Sequence, residues 1–477
     1  MARVPVPSVP SRLPEIEISS APRRGAQSAA LVFAPDGTDG DRAAVDGVRP
    51  PERAGDVREV PEGKDRWLAG VGAGEPKDFR AAGAALIRAV DGDEKPPRIL
   101  EIGLAADVTA EQIENLVAGL LLGGYRFTVT ADAPKPGVRT IRLVTGDAHA
   151  GTVERVRHLA AAAAFARDLA NAPSNVKDPA WLADTASAGV AGLANLTATV
   201  RDERWLRDEG FGGVLAVGGG SASPPRLIEL AYRPRGAKRH LLLVGKGITF
   251  DTGGLSIKPA DGMHLMRTDM AGGAAVLAAT RAIAALKLDV KVTALVPAAE
   301  NHVSGTAYRP GDVVRHYGGK TTDVSNTDAE GRMVLADALA YGIKRFRPDA
   351  VVDVATLTGA MKVSLGLRTG GLFANDDELA RRVADAGERA GEQWWRMPLT
   401  EDLADSVRGE IGDVRQAPGG PGGIAAALFL REFVDGAAWA HLDIAGPARS
   451  EKNYADVVPG GTGFAARTLV ELAASYT

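Results

Sequence analysis

The sequence predicts an α/β protein of two domains, the larger built on a mixed or mostly parallel sheet covered by helices. Three observations carry that prediction. The chain has 477 residues, too many for one ordinary core, since domains usually run to about 100 to 200 residues. Short apolar strands alternate with helical stretches in the first third and again, on a larger scale, in the remainder. Between the two runs lies one long alanine-rich helix closed by prolines.

In the first third, SAALVFAP and PPRILEIGL read as strands, and FRAAGAALIRAV and AEQIENLVAGLLLGG as helices, the last glycines being a helix-stop signal. GVGAG, at Gly70 to Gly74, lacks the full dinucleotide fingerprint and reads as a tight strand-to-helix turn. The helix ERVRHLAAAAAFARDLANAPSN then runs until NAPSNVKDP, whose two prolines break it. This places an N-terminal domain at 1–153, a connecting helix at 154–176 and a larger domain at 177–477. The larger domain continues with strand HLLLVGKGI, helix GGAAVLAATRAIAALKL, strand VKVTALVPA, the helix in NTDAEGRMVLADALAYG, and strands AVVDVATLT and AWAHLDIA. In such sheets, sites gather at the carboxyl ends of strands.

Composition narrows the function. The 45% hydrophobic and 24% charged content is that of a globular protein. The net charge of −4 comes from 56 basic and 60 acidic residues mixed along the chain, so nucleic acid is not an indicated partner. No apolar run reaches the roughly 18 residues that span a bilayer, and prolines interrupt MARVPVPSVPSRLPEIEIS where a signal peptide needs its apolar region. The expectation is a cytoplasmic protein with no membrane partner. The absence of cysteine excludes disulfides, thiolate metal sites and cysteine nucleophiles, leaving oxygen and nitrogen ligands for any metal.

Two stretches carry unusual charge. After HLLLVGKGI the chain enters GKGITFDTGGLSIKPADGMHLMRTDMAGGAA, which spreads Lys246, Asp251, Lys258 and Asp269 among glycines and apolar residues. Charges in such surroundings are costly unless they pair or bind an ion. In NTDAEGR, Asp328, Glu330 and Arg332 alternate where a helix begins, a place that also suits acids through the helix dipole. Ion pairing or helix capping explains either stretch alone. Together they put four carboxylates at neighbouring strand ends, where divalent cations are the usual cure for repulsion and two metals sharing carboxylates would fit. The seven histidines fall in no zinc spacing, there is no GxSxG elbow, and GGKT at Gly318 to Thr321 reads as a turn because Val314 replaces the first glycine of a phosphate loop.

At these residues the sequence closely resembles the leucyl aminopeptidase family, the dinuclear-metal exopeptidases also called cytosol aminopeptidases. VGKGITFDTGGLSIKP and NTDAEGRMVLADAL resemble its two signature segments, and ENHVSGTAYRPGD, VATLTGAM, AALFLREF and AWAHLDIAGPA resemble others in the expected order. The likeness is dense from about Phe165 onward and thinner before, where the family carries a macrodomain-like α/β domain.

The resemblance implies that Asp251 and Glu330 bridge two metals, zinc or manganese, with Asp328 completing one coordination sphere and Lys246 with Asp269 the other. A lysine ligand must be neutral, so metal binding should release protons. A water or hydroxide shared by the ions would attack the peptide bond, and the substrate's α-amine on one metal would make the enzyme an exopeptidase. Lys258 is implied to polarise the scissile carbonyl and stabilise the oxyanion, and Arg332 to hold a bicarbonate ion that shuttles the proton. Met266, Thr356 and Gly359 would line an apolar pocket favouring leucine-like residues, with backbone contacts from Leu357. The family assembles as hexamers, so a homohexamer acting on peptides is implied.

His302 and Val303 stand where the family usually has Met and Pro, and Gly273 stands where it usually has Ala, an exchange costing up to about 1 kcal/mol near a helix start. Two rivals are weaker. A two-metal phosphatase or nuclease lacks its basic channel, and a binding protein with a vestigial metal site is at odds with the intact ligand set.

Overall fold

The computed structural model describes residues 6–33, 48–61, 65–130 and 137–477. The first five residues of the proline-interrupted start, and residues 34–35 that end the expected strand SAALVFAP, lie outside them. The described residues form two compact units, one of 6–164 with 450–459 and the other of 165–449 with 460–477.

The first unit is a sheet of β1 (Glu15–Ser19), β2 (Gln27–Val32), β3 (Val57–Glu59), β4 (Trp67–Gly70), β5 (Ile99–Gly103) and β6 (Thr140–Val144) in the order β1-β6-β5-β2-β4-β3. Among the described residues only the β3–β4 pair of this sheet is antiparallel. Helices α1 (Pro76–Gly92) and α2 (Ala110–Leu122) approach through glycines: an added Cβ at Gly83 would lie 2.4 Å from the Leu116 carbonyl oxygen. Gly123 does end α2, but with φ −65° it needs no left-handed freedom. What excludes a side chain there is α1, since a Cβ would come within 2.5 Å of the Ala84 Cα. Gly72 and Gly74, at φ +51° and +83°, do supply the tight turn read from GVGAG.

The connecting helix is α3 (Ala150–Asn171), which stops before Pro173. The division between the units falls inside it, because Val153, Val156, Ala160 and Ala163 belong to the first unit's core.

In the second unit the chain runs through α4 (Pro179–Val190), β7 (Leu196–Arg201), α5 (Glu203–Glu209), α6 (Gly212–Gly218), β8 (Arg226–Tyr232), β9 (His240–Gly245), β10 (Gly247–Asp251), α7 (Ala271–Ala285) and β11 (Lys291–Asn301). It continues through β12 (Val313–Arg315), β13 (Thr321–Asp323), α8 (Glu330–Phe346), β14 (Ala350–Ala355), α9 (Gly359–Leu365), β15 (Thr369–Ala374), α10 (Asp377–Ala390) and β16 (Gln393–Arg396). The last elements are β17 (Val414–Arg415), α11 (Gly422–Arg431), β18 (Trp439–Asp443), β19 (Arg449–Ser450), β20 (Gly460–Gly461) and α12 (Ala466–Ala474).

The main sheet has the order β16-β15-β18-β14-β9-β11-β8-β7, with β10 also beside β11. Its four central strands β18, β14, β9 and β11 are parallel, so their carboxyl ends open on one edge, while β15 and β8 join antiparallel. Helices cover both faces. Leu295 and Leu242 meet α8 at Gly342, whereas Val296, the next residue of β11, meets α7 at Gly273; successive strand side chains point to opposite faces. Gly318 and Gly319, at φ +87° and +99°, form the β12–β13 turn read from GGKT.

The strand expected from HLLLVGKGI is broken at Lys246. There the backbone N–H donates to the Val354 carbonyl at 3.0 Å, and the carbonyl accepts from the Gly273 N–H at 2.8 Å. Gly273 is required by this approach: an alanine Cβ would lie 2.7 Å from Val296 Cγ1 and 2.9 Å from the Lys246 carbonyl oxygen. The expected helix penalty is thereby exchanged for the seating of α7 against the strand ends.

Candidate metal centre

The carboxyl ends of the central strands deliver the charged residues to one place. Lys246 follows β9, Asp251 ends β10, Thr356 and Leu357 follow β14, and Asp443 ends β18. Glu330 is the first residue of α8, whose N-cap, Ala329, offers no capping side chain. Asp328 does not cap that helix either, for its carboxylate accepts from Lys258. The acids of NTDAEGR therefore face the centre.

Two lysines hold four carboxylates. The Lys246 Nζ lies 2.8 Å from Asp269 Oδ2 and 2.7 Å from Glu330 Oε1, all three side chains being buried. Lys258 Nζ lies 2.8 Å from Asp251 Oδ2 and also pairs with Asp328. Asp251, Asp328 and Glu330 each offer a carboxylate oxygen within 4.8 Å of the others. Although ion-paired with Lys246, Asp269 Oδ2 and Glu330 Oε1 receive no well-directed hydrogen bond, so each keeps lone pairs that an ion could use. The donor set thus fits divalent ions that favour oxygen with some nitrogen.

The electrostatics show the tension. Burial alone would lower the Lys246 ammonium, but Asp269, Glu330 and Asp251 outweigh it and hold it above the usual lysine range. Burial and the neighbouring acids push Asp269 well up against the pull of Lys246, and burial with Asp251 pushes Asp328 up to about 6. Clustered, desolvated carboxylates behave so until cations neutralise them. Since the carboxylates favour the ammonium, a lysine ligand would have to release its proton to solvent as the ion takes that proton's place.

Arg332 is buried, donates from Nη1 to the Gln416 carbonyl at 2.6 Å, and leaves Nε without a partner. Burial lowers it to about 10 against the opposing pull of Glu330 and Asp443. It does not line the cavity of about 340 Å³ that opens on the centre, whereas Lys246, Asp251, Lys258, Asp269, Asp328 and Glu330 do. Met266, Thr356, Leu357 and Gly359 line it as well, and His302 and Val303 do not.

Several positioning residues carry little or no mark in the sequence. The Asn301 amide donates to Asp251 Oδ1 at 2.8 Å and to the Thr327 carbonyl at 3.0 Å, tying the two signature segments together. Gln416 accepts from the Ser325 and Asn326 N–H groups and donates to the Ala329 carbonyl, bracing the NTDAEGR turn. Asp443 accepts from the N–H groups of Leu357, Thr358 and Ala445 and from the Thr358 hydroxyl, fixing the start of α9. Only the polar residue at the end of an apolar strand hinted at Asn301 and Asp443.

Gly331 has a definite job. A Cβ there would lie 2.7 to 2.8 Å from Lys246 Cδ, Cε and Nζ. Gly331→Ala is therefore expected to displace the ammonium from Asp269 and Glu330 while α8 still forms. The expected result is a fall in kcat of roughly 100-fold, the scale of a 1 Å misplacement in a site, with the thermal midpoint nearly unchanged; steady-state kinetics and a thermal melt check it.

Fold and site define a class: a two-unit α/β protein with an acidic centre, able to hold divalent ions, at the carboxyl ends of parallel strands. Residues 164–470 match the catalytic domain of the cytosol aminopeptidase family. The chain is 47% identical over 409 residues to a probable cytosol aminopeptidase of Streptomyces avermitilis, covering 83% of this chain and 78% of that protein. It is 44% identical over 373 residues to a probable cytosol aminopeptidase of Syntrophotalea carbinolica, covering 76% and 75%. Among solved structures, the bottromycin maturation enzyme BotP in complex with Mn is similar at a TM-score of 0.84 and 39% identity, covering 94% of this chain and 98% of that one. The chain belongs to the cytosol aminopeptidase family and is a metal-dependent aminopeptidase.

Proposed function

We propose that the protein releases N-terminal residues from peptides, leucine and other apolar residues among them, using two manganese or zinc ions. The observation that supports this reading is the gathering of four carboxylates and two lysines at one group of strand ends, with Lys246, Asp251, Asp269 and Glu330 buried and Lys258 and Asp328 partly exposed. Asp251 and Glu330 would hold both ions, Asp328 would serve one, and Lys246 with Asp269 the other. Divalent ions held there would supply an acidified water as nucleophile. Lys258 reaches the cavity on a partly exposed side chain and donates to the oxygen that gains charge. Arg332, buried with its Nε free, would hold a bicarbonate, which would supply a proton relay. Met266, Leu357 and Gly359 give the first side chain an apolar wall. The reading extends to catalysis within 177–477, a homohexamer and a cytoplasmic location; among the described residues no helix is long and apolar enough to cross a membrane.

The test is hydrolysis of leucine p-nitroanilide by protein stripped with chelator and resupplied. Loss on stripping and recovery with manganese or zinc is the expected result; folded, metal-loaded protein that never cleaves the substrate refutes the reading.

A further inference from the structure

The cavity over the centre holds two more cations than the proposed chemistry uses. Lys362, in the last turn of α9, and Arg449, on β19, both line it. The four acids of the centre are engaged by Lys246 and Lys258, and no carboxylate among the described residues pairs with Lys362 or Arg449. Arg449 Nη1 is buried with no hydrogen-bond partner. A buried guanidinium donor left unpaired is costly and rare, and its natural complement is a carboxylate.

The backbone keeps these cations in place. Asp443 fixes the start of α9 through its bonds to Leu357 and Thr358. The segment leading from β18 to Arg449 packs on the turn that ends α9, so closely that a Cβ on Gly446 would lie 2.2 Å from the Gly366 carbonyl oxygen. The wall that carries Lys362 and Arg449 is thus preformed.

We propose that this wall binds a carboxylate of the substrate, so that the enzyme selects peptides bringing a negative charge into the cavity beside the aminopeptidase centre. The inference rests on the function proposed above. Two sources supply such a group: an acidic side chain on the first residue, or the free C-terminal carboxylate of a very short peptide. Met266 and Leu357 would then contact the aliphatic part of the substrate and the cations its charged end.

The experiment compares matched substrates on manganese-loaded, full-length protein: glutamyl against glutaminyl p-nitroanilide, and Leu-Gly against Leu-Gly amide. In at least one pair the charged member is expected to have the higher kcat/KM by roughly 10- to 100-fold, the worth of one or two charge-assisted hydrogen bonds, and the pair that responds identifies the source. Arg449→Gln and Lys362→Gln should each shrink that ratio. The ratio is internal to each variant, and Lys362 is exposed, so a folding defect at Arg449 does not decide the matter. Equal rates within both pairs, or a preference untouched by both substitutions, overturn the proposal even when leucine p-nitroanilide is cleaved. If nothing is cleaved, the aminopeptidase reading fails instead; the same dipeptides then bind intact, and calorimetry with the two variants reads the charge preference directly.

Discussion

Glu330→Gln is expected to lower kcat/KM for leucine p-nitroanilide by about 1,000-fold or more at saturating manganese. The substitution preserves size and shape at a buried position that opens α8, so it isolates charge. Glu330 lies between the two halves of the centre: it is paired with Lys246 and has an oxygen within 4.8 Å of carboxylate oxygens on Asp251 and Asp328. An amide offers one neutral oxygen where a carboxylate offers two charged ones, and ion-based stabilisation of a transition state is worth several kcal/mol. At 1.36 kcal/mol per tenfold, that is about three orders of magnitude. The fold should survive, because removing one of four crowded carboxylates relieves repulsion while Asp269 still pairs with Lys246. Kinetics, metal content by atomic spectroscopy and a thermal melt together check it. A variant with two bound ions and native activity would remove Glu330 from the ligand set.

What could be read from the sequence, and what could not, follows from the range of the interactions. NTDAEGR and VGKGITFDTGGLSIKP announce themselves because their acids and lysines are close in sequence and have no place in an ordinary helix start or loop. The strands β9, β11, β14 and β18 are legible as apolar runs because both their faces are buried. The break at Lys246 is not, since it depends on hydrogen bonds to Val354 and Gly273 on two other elements. The roles of Asn301 and Gln416 are equally invisible, being bonds to residues 26 to 91 positions away. Gly331 and Gly273 could be seen as glycines but not as spacers, because what a side chain would strike comes from elsewhere in the fold. The unit division inside α3 has no local mark, as one helical pattern serves two successive cores. Lys362 and Arg449 look like surface charges until the cavity brings them together.

Lys258→Met is expected to reduce kcat by about 100- to 1,000-fold with KM changed far less, the loss seen when one donor to a developing oxyanion is removed. Two roles compete for this lysine. It pairs with Asp251 and Asp328, and as a counter-charge alone it would become dispensable once divalent ions neutralise those acids. As a donor to substrate it would remain necessary with the ions in place. Both lysines line the cavity, but the partial exposure of Lys258, against the full burial of Lys246, favours the second role, because an incoming substrate can reach its ammonium. Measurement at saturating metal separates the two. A counter-charge role predicts a native kcat in Lys258→Met, with tighter metal binding because the acids have lost a competitor. A donor role predicts the same tighter binding but a kcat that no concentration of manganese restores. Lys258→Arg sharpens the distinction: it keeps the charge but changes the position of the donor, so that metal binding would return toward its native strength under either role, while under the donor role kcat would recover only in part.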